Sequence, residues 1–257
     1  MLTIDMKLAL VQYNPVWEDK EANRKKILSL LKGINGVELF IFPEMTLTGF
    51  TMMSEQMSET IQADSFRFFS KIAIEKSTNI FAGIIERRDK RLYNTLIHIK
   101  QDGNLTKLYR KIHPFSYSEE NKHYNAGVKP AYTKIRKWKI GLTICYDLRF
   151  PELFRKYGKK KVHLITNIAN WPDTRIDHWR SLLKARAIEN QCYVAGVNRV
   201  GNDPKLSYPG FSSVFDPMGK EIVSVENEEK VIQVELDKNY VNEVREKFPF
   251  LDDIKLI

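Results

Sequence analysis

The sequence of 257 residues predicts an α/β fold with mixed sheets, organised as one domain over residues 1–257. Short apolar runs typical of strands alternate with segments of helical periodicity. Pairs of strand-like runs, such as the two around Arg91, indicate hairpins, so the sheets should contain antiparallel as well as parallel pairs. No linker rich in glycine, serine or proline divides the sequence, which favours a single domain.

The elements follow from these patterns in chain order. In the second predicted helix, Phe66, Phe69 and Ala73 are spaced three and four residues apart, which is typical of one buried face. The predicted helices are 19–31, 64–77, 147–157, 177–190 and 239–246. The predicted strands are 6–12, 37–42, 79–86, 92–99, 104–109, 131–136, 139–144, 161–167, 193–198, 211–215, 221–225 and 231–236.

Cys145 lies between the strand-like run 139–144 and the predicted helix 147–157. A cysteine at a strand-to-helix turn is held on a sharp bend, and helix N–H groups nearby favour its thiolate. Nucleophiles of other hydrolases occupy such a position. The alternative interpretation is a small buried hydrophobic residue at a strand end, as most free cysteines are.

Two other strand-like runs end in charged residues that would complete a site. Glu44 follows the apolar run 37–42, and Lys111 ends a weaker run. Sites in open α/β sheets assemble at strand ends, so the carboxylate would take the proton of the Cys145 thiol. Lys111 and the backbone N–H of Tyr146 would then stabilise the oxyanion formed on a carbonyl. Alternatively, Glu44 and Lys111 are ordinary solvated charges.

Three segments carry a resemblance to a known family. FPEMTLTGF, YRKIHPF and ICYDLRFPEL, in this order, resemble the signature segments of the nitrilase superfamily of carbon–nitrogen hydrolases. The likeness runs from LALVQYNPVWEDKEANRKKI through NWPDTRIDHWRSLLKARAIENQCYVAGVNRVG and PGFSSVFDPMGKEI, and is strongest to the omega-amidase branch. Those enzymes hydrolyse the terminal amide of 2-oxo dicarboxylic acid monoamides, such as 2-oxoglutaramate and 2-oxosuccinamate.

The resemblance implies roles for individual residues. It makes Glu44 the general base, Lys111 the oxyanion stabiliser and Cys145 the nucleophile that forms a thioester, with no cofactor. A second glutamate in the loop SYSEENKHYNAG would hydrogen-bond the lysine and help to place the substrate. Counting back from HYNAG favours Glu120 over Glu119, although the alternative for either residue is a hydrated loop acid.

The resemblance also implies architecture and assembly. It sharpens the predicted fold to a two-sheet αββα sandwich. It further implies a homodimer that stacks two such sandwiches, with help from the C-terminal segment FPFLDDIKLI.

Substrate selection is expected from residues around Cys145. A 2-oxo acid amide carries a carboxylate, and the guanidinium of Arg149 would clamp it, as the resemblance also suggests. The alternative for Arg149 is a salt bridge on a helix surface. Trp171, Phe115 and Phe50 are candidate apolar walls, although aromatic side chains are often ordinary core. His123 lies near the proposed site in the sequence, and the phenol of Tyr146 is a candidate for simple packing.

Composition limits the remaining classes. Hydrophobic residues at 43% and charged residues at 28% are typical of a soluble protein, and no apolar run is long enough to predict a membrane span. The N-terminus MLTIDMKLALVQY alternates like a first strand and does not resemble a signal peptide. Two cysteines give no disulfide framework, and a free catalytic thiol favours the cytoplasm.

The net charge of +9 raises the question of nucleic-acid binding. The basic residues are dispersed, and no nucleic-acid motif accompanies them, so this function is not expected. The histidines are scattered singly, which gives no metal-site spacing. Three hypotheses remain: an omega-amidase, the same centre acting on nitriles or N-carbamoyl amino acids, and a non-catalytic binding or regulatory protein on this scaffold.

Overall fold

The computed structural model of the protein describes residues 6–256. The strands are β1 (Met6–Gln12), β2 (Leu39–Ile41), β3 (Asn79–Arg88), β4 (Arg91–Ile99), β5 (Leu105–Arg110), β6 (Ala131–Ile135), β7 (Trp138–Ile144), β8 (Leu164–Ala169), β9 (Tyr193–Asn198), β10 (Val200–Asn202), β11 (Ser207–Phe215), β12 (Glu221–Glu226) and β13 (Lys230–Leu236). The α-helices are α1 (Lys20–Leu30), α2 (Ser54–Met57), α3 (Asp64–Glu75), α4 (Glu120–His123), α5 (Pro151–Lys159), α6 (Ile176–Asn190) and α7 (Lys238–Lys247). Short 3-10 helices span Ser116–Ser118, Cys145–Arg149, Asp173–Arg175 and Phe250–Asp253.

The described strands form two mixed sheets. The first has the order β13-β1-β2-β3-β4-β5, with β1, β2 and β3 parallel and the outer pairs antiparallel. The second has the order β10-β11-β9-β8-β7-β6, with β12 paired to β11, and its parallel centre is β7, β8 and β9. The carboxyl ends of β2, β7 and β8 precede the residues of the site described below.

The two sheets pack face to face, with helices on both outer faces. In β1, Leu8 and Leu10 enter the core between the sheets, whereas Ala9 and Val11 point to the layer of α1 and α3. This alternation follows from the two-residue period of a strand. The helices α5 and α6 cover the second sheet in the same way. The predicted αββα sandwich with mixed sheets is therefore confirmed.

Most predicted helices agree with the structure within a few residues. The first begins at Lys20 because Asp19 caps it, its Oδ1 accepting a hydrogen bond of 2.9 Å from the N–H of Ala22. At 15 residues, α6 is the longest helix in the described part of the chain. Among residues 6–256, no helix combines the length and the apolar character that crossing a membrane requires.

The predicted helix 147–157 is wrong at its start. The structure instead has a 3-10 helix, Cys145–Arg149, followed by α5, which begins at Pro151. Proline lacks an N–H and restricts the residue before it to extended conformations, and Phe150 is indeed extended. Asp147 therefore lies in the 3-10 helix and not at the start of α5, and its carboxylate forms hydrogen bonds within the site described below.

The prediction also misses part of the second sheet. Strand β11 begins at Ser207, and its first half pairs with the unpredicted strand β10. Pro209 and Gly210 obscured this strand in the sequence because both residues usually interrupt strands. Gly210 has a positive φ and lies at a bulge, where a glycine is tolerated.

Candidate active site

Glu44 lies just beyond the end of β2, and its carboxylate is buried between the two sheets. Its Oε1 accepts hydrogen bonds from Asn94 Nδ2 at 2.7 Å and from Lys111 Nζ at 2.9 Å. Its Oε2 accepts one from the backbone N–H of Asn170 at 2.9 Å. Only 1% of Glu44 is exposed, so these partners fix the direction of the carboxylate.

Lys111 follows β5 and is as deeply buried as Glu44. Its ammonium donates to Glu120 Oε2 at 2.8 Å as well as to Glu44. Burial by itself lowers the pKa of Lys111, but the carboxylates of Glu120 and Glu44 outweigh burial and leave this pKa well above its usual value. The side chain is therefore a fixed positive charge at the centre of the site.

The two neighbouring glutamates of the loop lie in different environments. Glu120 is fully buried, and its Oε2 accepts hydrogen bonds from Lys111 and from the backbone N–H of Phe115. Glu119 is exposed and pairs with Lys122 on the surface. Burial, opposed by Lys111 and assisted by Glu44, raises the pKa of Glu120. Of the two candidates, Glu120 is the one that contacts Lys111.

Cys145 forms a sharp bend between β7 and the 3-10 helix, with a positive φ of 46°. This backbone conformation is unusual for a residue other than glycine and directs the side chain out of the strand. The Cys145 Sγ lies 4.0 Å from the backbone oxygen of Asn170 and is partly exposed on the cavity described below. The geometry therefore presents the thiol to an incoming molecule.

The pKa of the Cys145 thiol depends on burial and on the charged groups around the sulfur. Desolvation raises the pKa of the thiol well above its usual value, and the Glu44 carboxylate raises it further, while Lys111 acts in the opposite direction. The resting sulfur is therefore protonated at neutral pH. Attack by this sulfur requires a base within reach, and Glu44 is in that position.

Asp147 holds the bend in place from within. Its Oδ2 accepts from the backbone N–H of Ile144 at 2.9 Å and from the hydroxyl of Tyr109 at 2.8 Å. Its Oδ1 accepts from the backbone N–H of His113 at 3.1 Å and contacts the His113 Nδ1 at 2.8 Å. The carboxylate thereby connects the turn of Cys145 to the segment that follows Lys111.

A cavity of about 400 Å³ opens above the sulfur. Phe50, Phe115 and Trp171 form apolar parts of its wall, and Arg149 and His123 also line it. The described residues 6–256 contain no group of three or more His, Cys, Asp or Glu side chains arranged to hold a metal ion. The volume suits a small organic molecule, and the arginine suits an anionic group on it.

Residues 7–246 match the sequence model of the carbon-nitrogen hydrolases. The chain belongs to the carbon-nitrogen hydrolase family. The resemblance to the nitrilase superfamily predicted from the three signature segments is thereby confirmed, as is the prediction of a carbon–nitrogen hydrolase.

Individual relatives of this hydrolase agree with that assignment. It is 34% identical over 220 residues to a 2-oxoglutaramate amidase of Bacillus subtilis (strain 168), covering 85% of each chain. It is 34% identical over 250 residues to the omega-amidase YafV of Escherichia coli (strain K12), covering 96% of each. Its structure is similar to that of XC1258 from Xanthomonas campestris, a CN-hydrolase superfamily protein, with a TM-score of 0.95, 32% identity and 99% of each chain covered.

The structure of this hydrolase adds residues that the sequence did not single out. Asn94 donates both to Glu44 and to Glu120, at 3.0 Å to the latter, and Asn170 holds Glu44 from the other side. In the sequence, Asn94 is marked only as the one amide side chain of the largely apolar strand β4. Asn170 stands in the segment NWP, whose only signal in the sequence is that it belongs to the resemblance.

The Tyr146 side chain and backbone have separate environments in this hydrolase. Its ring packs against Phe115 at 4.8 Å and Phe150 at 5.2 Å between ring centres, so the phenol contributes to the cavity wall. Its N–H belongs to the first turn of the 3-10 helix, where backbone donors lack partners within the helix. The oxygen of a substrate carbonyl placed beside the sulfur could accept hydrogen bonds from this N–H and from the Lys111 ammonium.

Proposed function

We propose that this hydrolase releases ammonia from the terminal amide of 2-oxo dicarboxylic acid monoamides, such as 2-oxoglutaramate and 2-oxosuccinamate. The observation that carries the proposal is the buried cluster of Glu44, Lys111 and Cys145 at the floor of a cavity lined by Arg149. The names of two relatives, a 2-oxoglutaramate amidase and an omega-amidase, support this choice of substrate.

The first half of the reaction transfers the acyl group to the enzyme. The Cys145 sulfur attacks the amide carbon while its proton passes to Glu44, because the raised pKa of the thiol prevents a standing thiolate. The carbonyl electrons move to oxygen, where Lys111 and the Tyr146 N–H stabilise the negative charge. The carbonyl then re-forms, the carbon–nitrogen bond breaks, and Glu44 returns the proton to the departing nitrogen as ammonia.

The second half hydrolyses the resulting thioester. Glu44 takes a proton from water as the water oxygen bonds to the acyl carbon. The carbon–sulfur bond breaks, the sulfur recovers its proton from Glu44, and the carboxylic acid product leaves. Glu120 acts through Lys111, because its carboxylate holds the ammonium in position and in its charged form.

We further propose that Arg149 binds the substrate carboxylate and that Phe50, Phe115 and Trp171 enclose its carbon chain. The Arg149 guanidinium carbon lies 4.9 Å from the centre of the Trp171 ring, which holds the cation against the cavity wall. Among residues 6–256, no carboxylate forms an ion pair with Arg149, which leaves it available for an anionic substrate.

The proposal extends to assembly and location. A homodimer is supported by apolar side chains left exposed near the C-terminus, Phe250 at 63% and Leu256 at 98%. A cytoplasmic location is supported by the free thiol of Cys145, which needs a reducing environment.

Ammonia release from purified protein tests the proposed function. The panel contains 2-oxoglutaramate, 2-oxosuccinamate, glutamine, carbamoyl-β-alanine and simple nitriles. We expect turnover of the 2-oxo acid amides, its loss in Cys145→Ala, and its retention in the matched control Cys192→Ala at a buried cysteine remote from the cavity. Turnover of a nitrile or a carbamoyl compound without any amide would favour the alternative substrates. No turnover of any compound would favour the binding protein.

A further inference from the structure

A second arginine lines the cavity in addition to Arg149. Arg175 ends the 3-10 helix Asp173–Arg175, and its guanidinium carbon lies 5.6 Å from the centre of the Phe115 ring. Its backbone oxygen accepts a hydrogen bond of 2.7 Å from Trp171 Nε1. The side chain is half-buried, and its backbone is fixed to the same aromatic wall that surrounds the sulfur.

The charge of Arg175 is uncompensated by its surroundings. No carboxylate among residues 6–256 forms an ion pair with it, and its side-chain hydrogen bond is a long one of 3.4 Å to Thr174 Oγ1. Arg149 likewise makes one side-chain hydrogen bond, from a terminal nitrogen to His178 Nδ1 at 3.2 Å. Arg175 therefore keeps guanidinium donors for a ligand in the cavity, as Arg149 does.

The acidic side chains on the cavity wall are already engaged. Glu18 accepts a hydrogen bond from the hydroxyl of Thr51. Asp203 accepts bonds from the Tyr208 hydroxyl and from two backbone N–H groups of its own loop. The carboxylates of Glu18 and Asp203 therefore accept hydrogen bonds from neighbouring groups of the protein, whereas the two arginines keep N–H donors for a ligand.

We propose that Arg175 binds the carboxylate of the substrate together with Arg149 and contributes to the discrimination between anionic and neutral amides. This inference rests on the proposed amidase function and identifies a second specificity-determining residue for it. Both guanidinium groups lie against aromatic rings of the cavity wall, Arg149 against Trp171 and Arg175 against Phe115, and together they would hold the acid end while the amide end reaches Cys145. A planar guanidinium suits a carboxylate because it donates two parallel hydrogen bonds.

The test compares a 2-oxo acid monoamide with its neutral methyl ester in wild type, Arg175→Gln and Arg175→Lys. We expect Arg175→Gln to reduce kcat/KM for the acid by about ten- to a hundredfold, mainly through KM, because a hydrogen-bonded charge is lost. The kcat/KM for the ester should change by no more than about twofold, since the ester carries no charge for Arg175 to bind. Arg175→Lys should lose less kcat/KM for the acid than Arg175→Gln, because lysine keeps the positive charge but lacks the planar guanidinium.

The matched control is Arg180→Gln, which removes an arginine from α6 that pairs with Glu221 outside the cavity. A second measurement does not need turnover. Bound 2-oxoglutarate should protect Cys145 from alkylation by iodoacetamide. The Arg175→Gln variant should need at least about tenfold more 2-oxoglutarate for the same protection. Equal losses on acid and ester, or unchanged kcat/KM and protection, would overturn the role of Arg175 while leaving the amidase function intact. A wild-type enzyme that hydrolyses no acid amide would overturn both.

Discussion

Asn170 donates three hydrogen bonds to Glu44, one from its backbone N–H and two from its side-chain Nδ2. The backbone N–H reaches Oε2 at 2.9 Å, and Nδ2 reaches the Glu44 backbone oxygen at 2.7 Å and Oε2 at 3.3 Å. These bonds join the carboxyl end of β8 in one sheet to the carboxyl end of β2 in the other. Asn170 also lies beside the Cys145 sulfur, so this contact across the sandwich fixes the proposed base, Glu44, relative to the proposed nucleophile.

Asn170→Ala should lower kcat without a comparable change in KM. The variant keeps the backbone bond but loses both side-chain bonds, so Glu44 is less well directed toward the sulfur. Because a hydrogen bond to a charged group contributes a few kcal/mol at most, we expect a loss of about ten- to a hundredfold. Steady-state kinetics measure it, with the exposed Asn121→Ala as control. A raised KM at unchanged kcat would show that Asn170 contacts substrate instead.

The reactivity of Cys145 should depend on pH in a way that reports on Glu44. Since desolvation and Glu44 both raise the pKa of the thiol, its alkylation by iodoacetamide should have a midpoint above roughly 8.5, the value for free cysteine. Glu44→Gln removes the like charge, so the thiolate becomes easier to form and the midpoint should move to lower pH. The exposed Glu119→Gln should leave the midpoint unchanged. A midpoint that rises in Glu44→Gln would contradict this electrostatic assignment.

Asp147→Asn should weaken the fold and the site together. An amide provides one acceptor oxygen where the carboxylate provides two, so at least one of the donors from Ile144, Tyr109 and His113 loses its partner. An unsatisfied buried donor costs about 1–3 kcal/mol, which urea denaturation would measure as a lower free energy of unfolding. The exposed Asp177→Asn in α6 is the matched control. Full stability and activity in Asp147→Asn would refute the role of this carboxylate in the bend.

Gly83→Ala should displace Glu44 by direct crowding. A Cβ at this position would lie 2.5 Å from the Met45 nitrogen and 2.9 Å from the Glu44 backbone, so the backbone itself must shift. Overpacking of this kind costs about 1–3 kcal/mol, and kcat should fall as well because Glu44, the proposed base, moves. Gly158→Ala in α5 crowds Asn190, far from Glu44, and should lower the melting temperature at nearly unchanged kcat. Equal kcat values in the two variants would show that the position of Glu44 tolerates the shift.

Residues at strand ends were the part of the site most accessible from sequence. Glu44 and Cys145 each follow an apolar run and Lys111 follows a weaker strand pattern, and the local sequence shows where such a run ends. The choice between Glu119 and Glu120 was harder, because neighbouring residues in a loop share the same sequence context. The left-handed backbone of Glu119 decides it, since that turn leaves Glu119 in solvent and carries Glu120 inward.

Other features depend on contacts between distant segments. Asn94 in β4 meets Glu44 and Glu120 only because the first sheet folds beside the loop after β5. The hydrogen bond from the Tyr109 hydroxyl to the Asp147 carboxylate joins residues 38 positions apart, and the local pattern of the predicted helix 147–157 does not show it. The raised pKa of the Cys145 thiol also depends on tertiary packing, because it comes first from burial of the sulfur and then from Glu44, which belongs to the other sheet.

The amino-acid sequence was enough to predict the fold class, the family and the candidate residues Glu44, Lys111 and Cys145, because these depend on local periodicity and on short characteristic segments. The tertiary structure alone decided which groups share one buried volume: the carboxylate that raises the pKa of the thiol, the asparagines that direct that carboxylate, and the second arginine on the cavity. The physical reason is that burial and charge act over a few ångströms of space, and those distances exist only after the two sheets have packed.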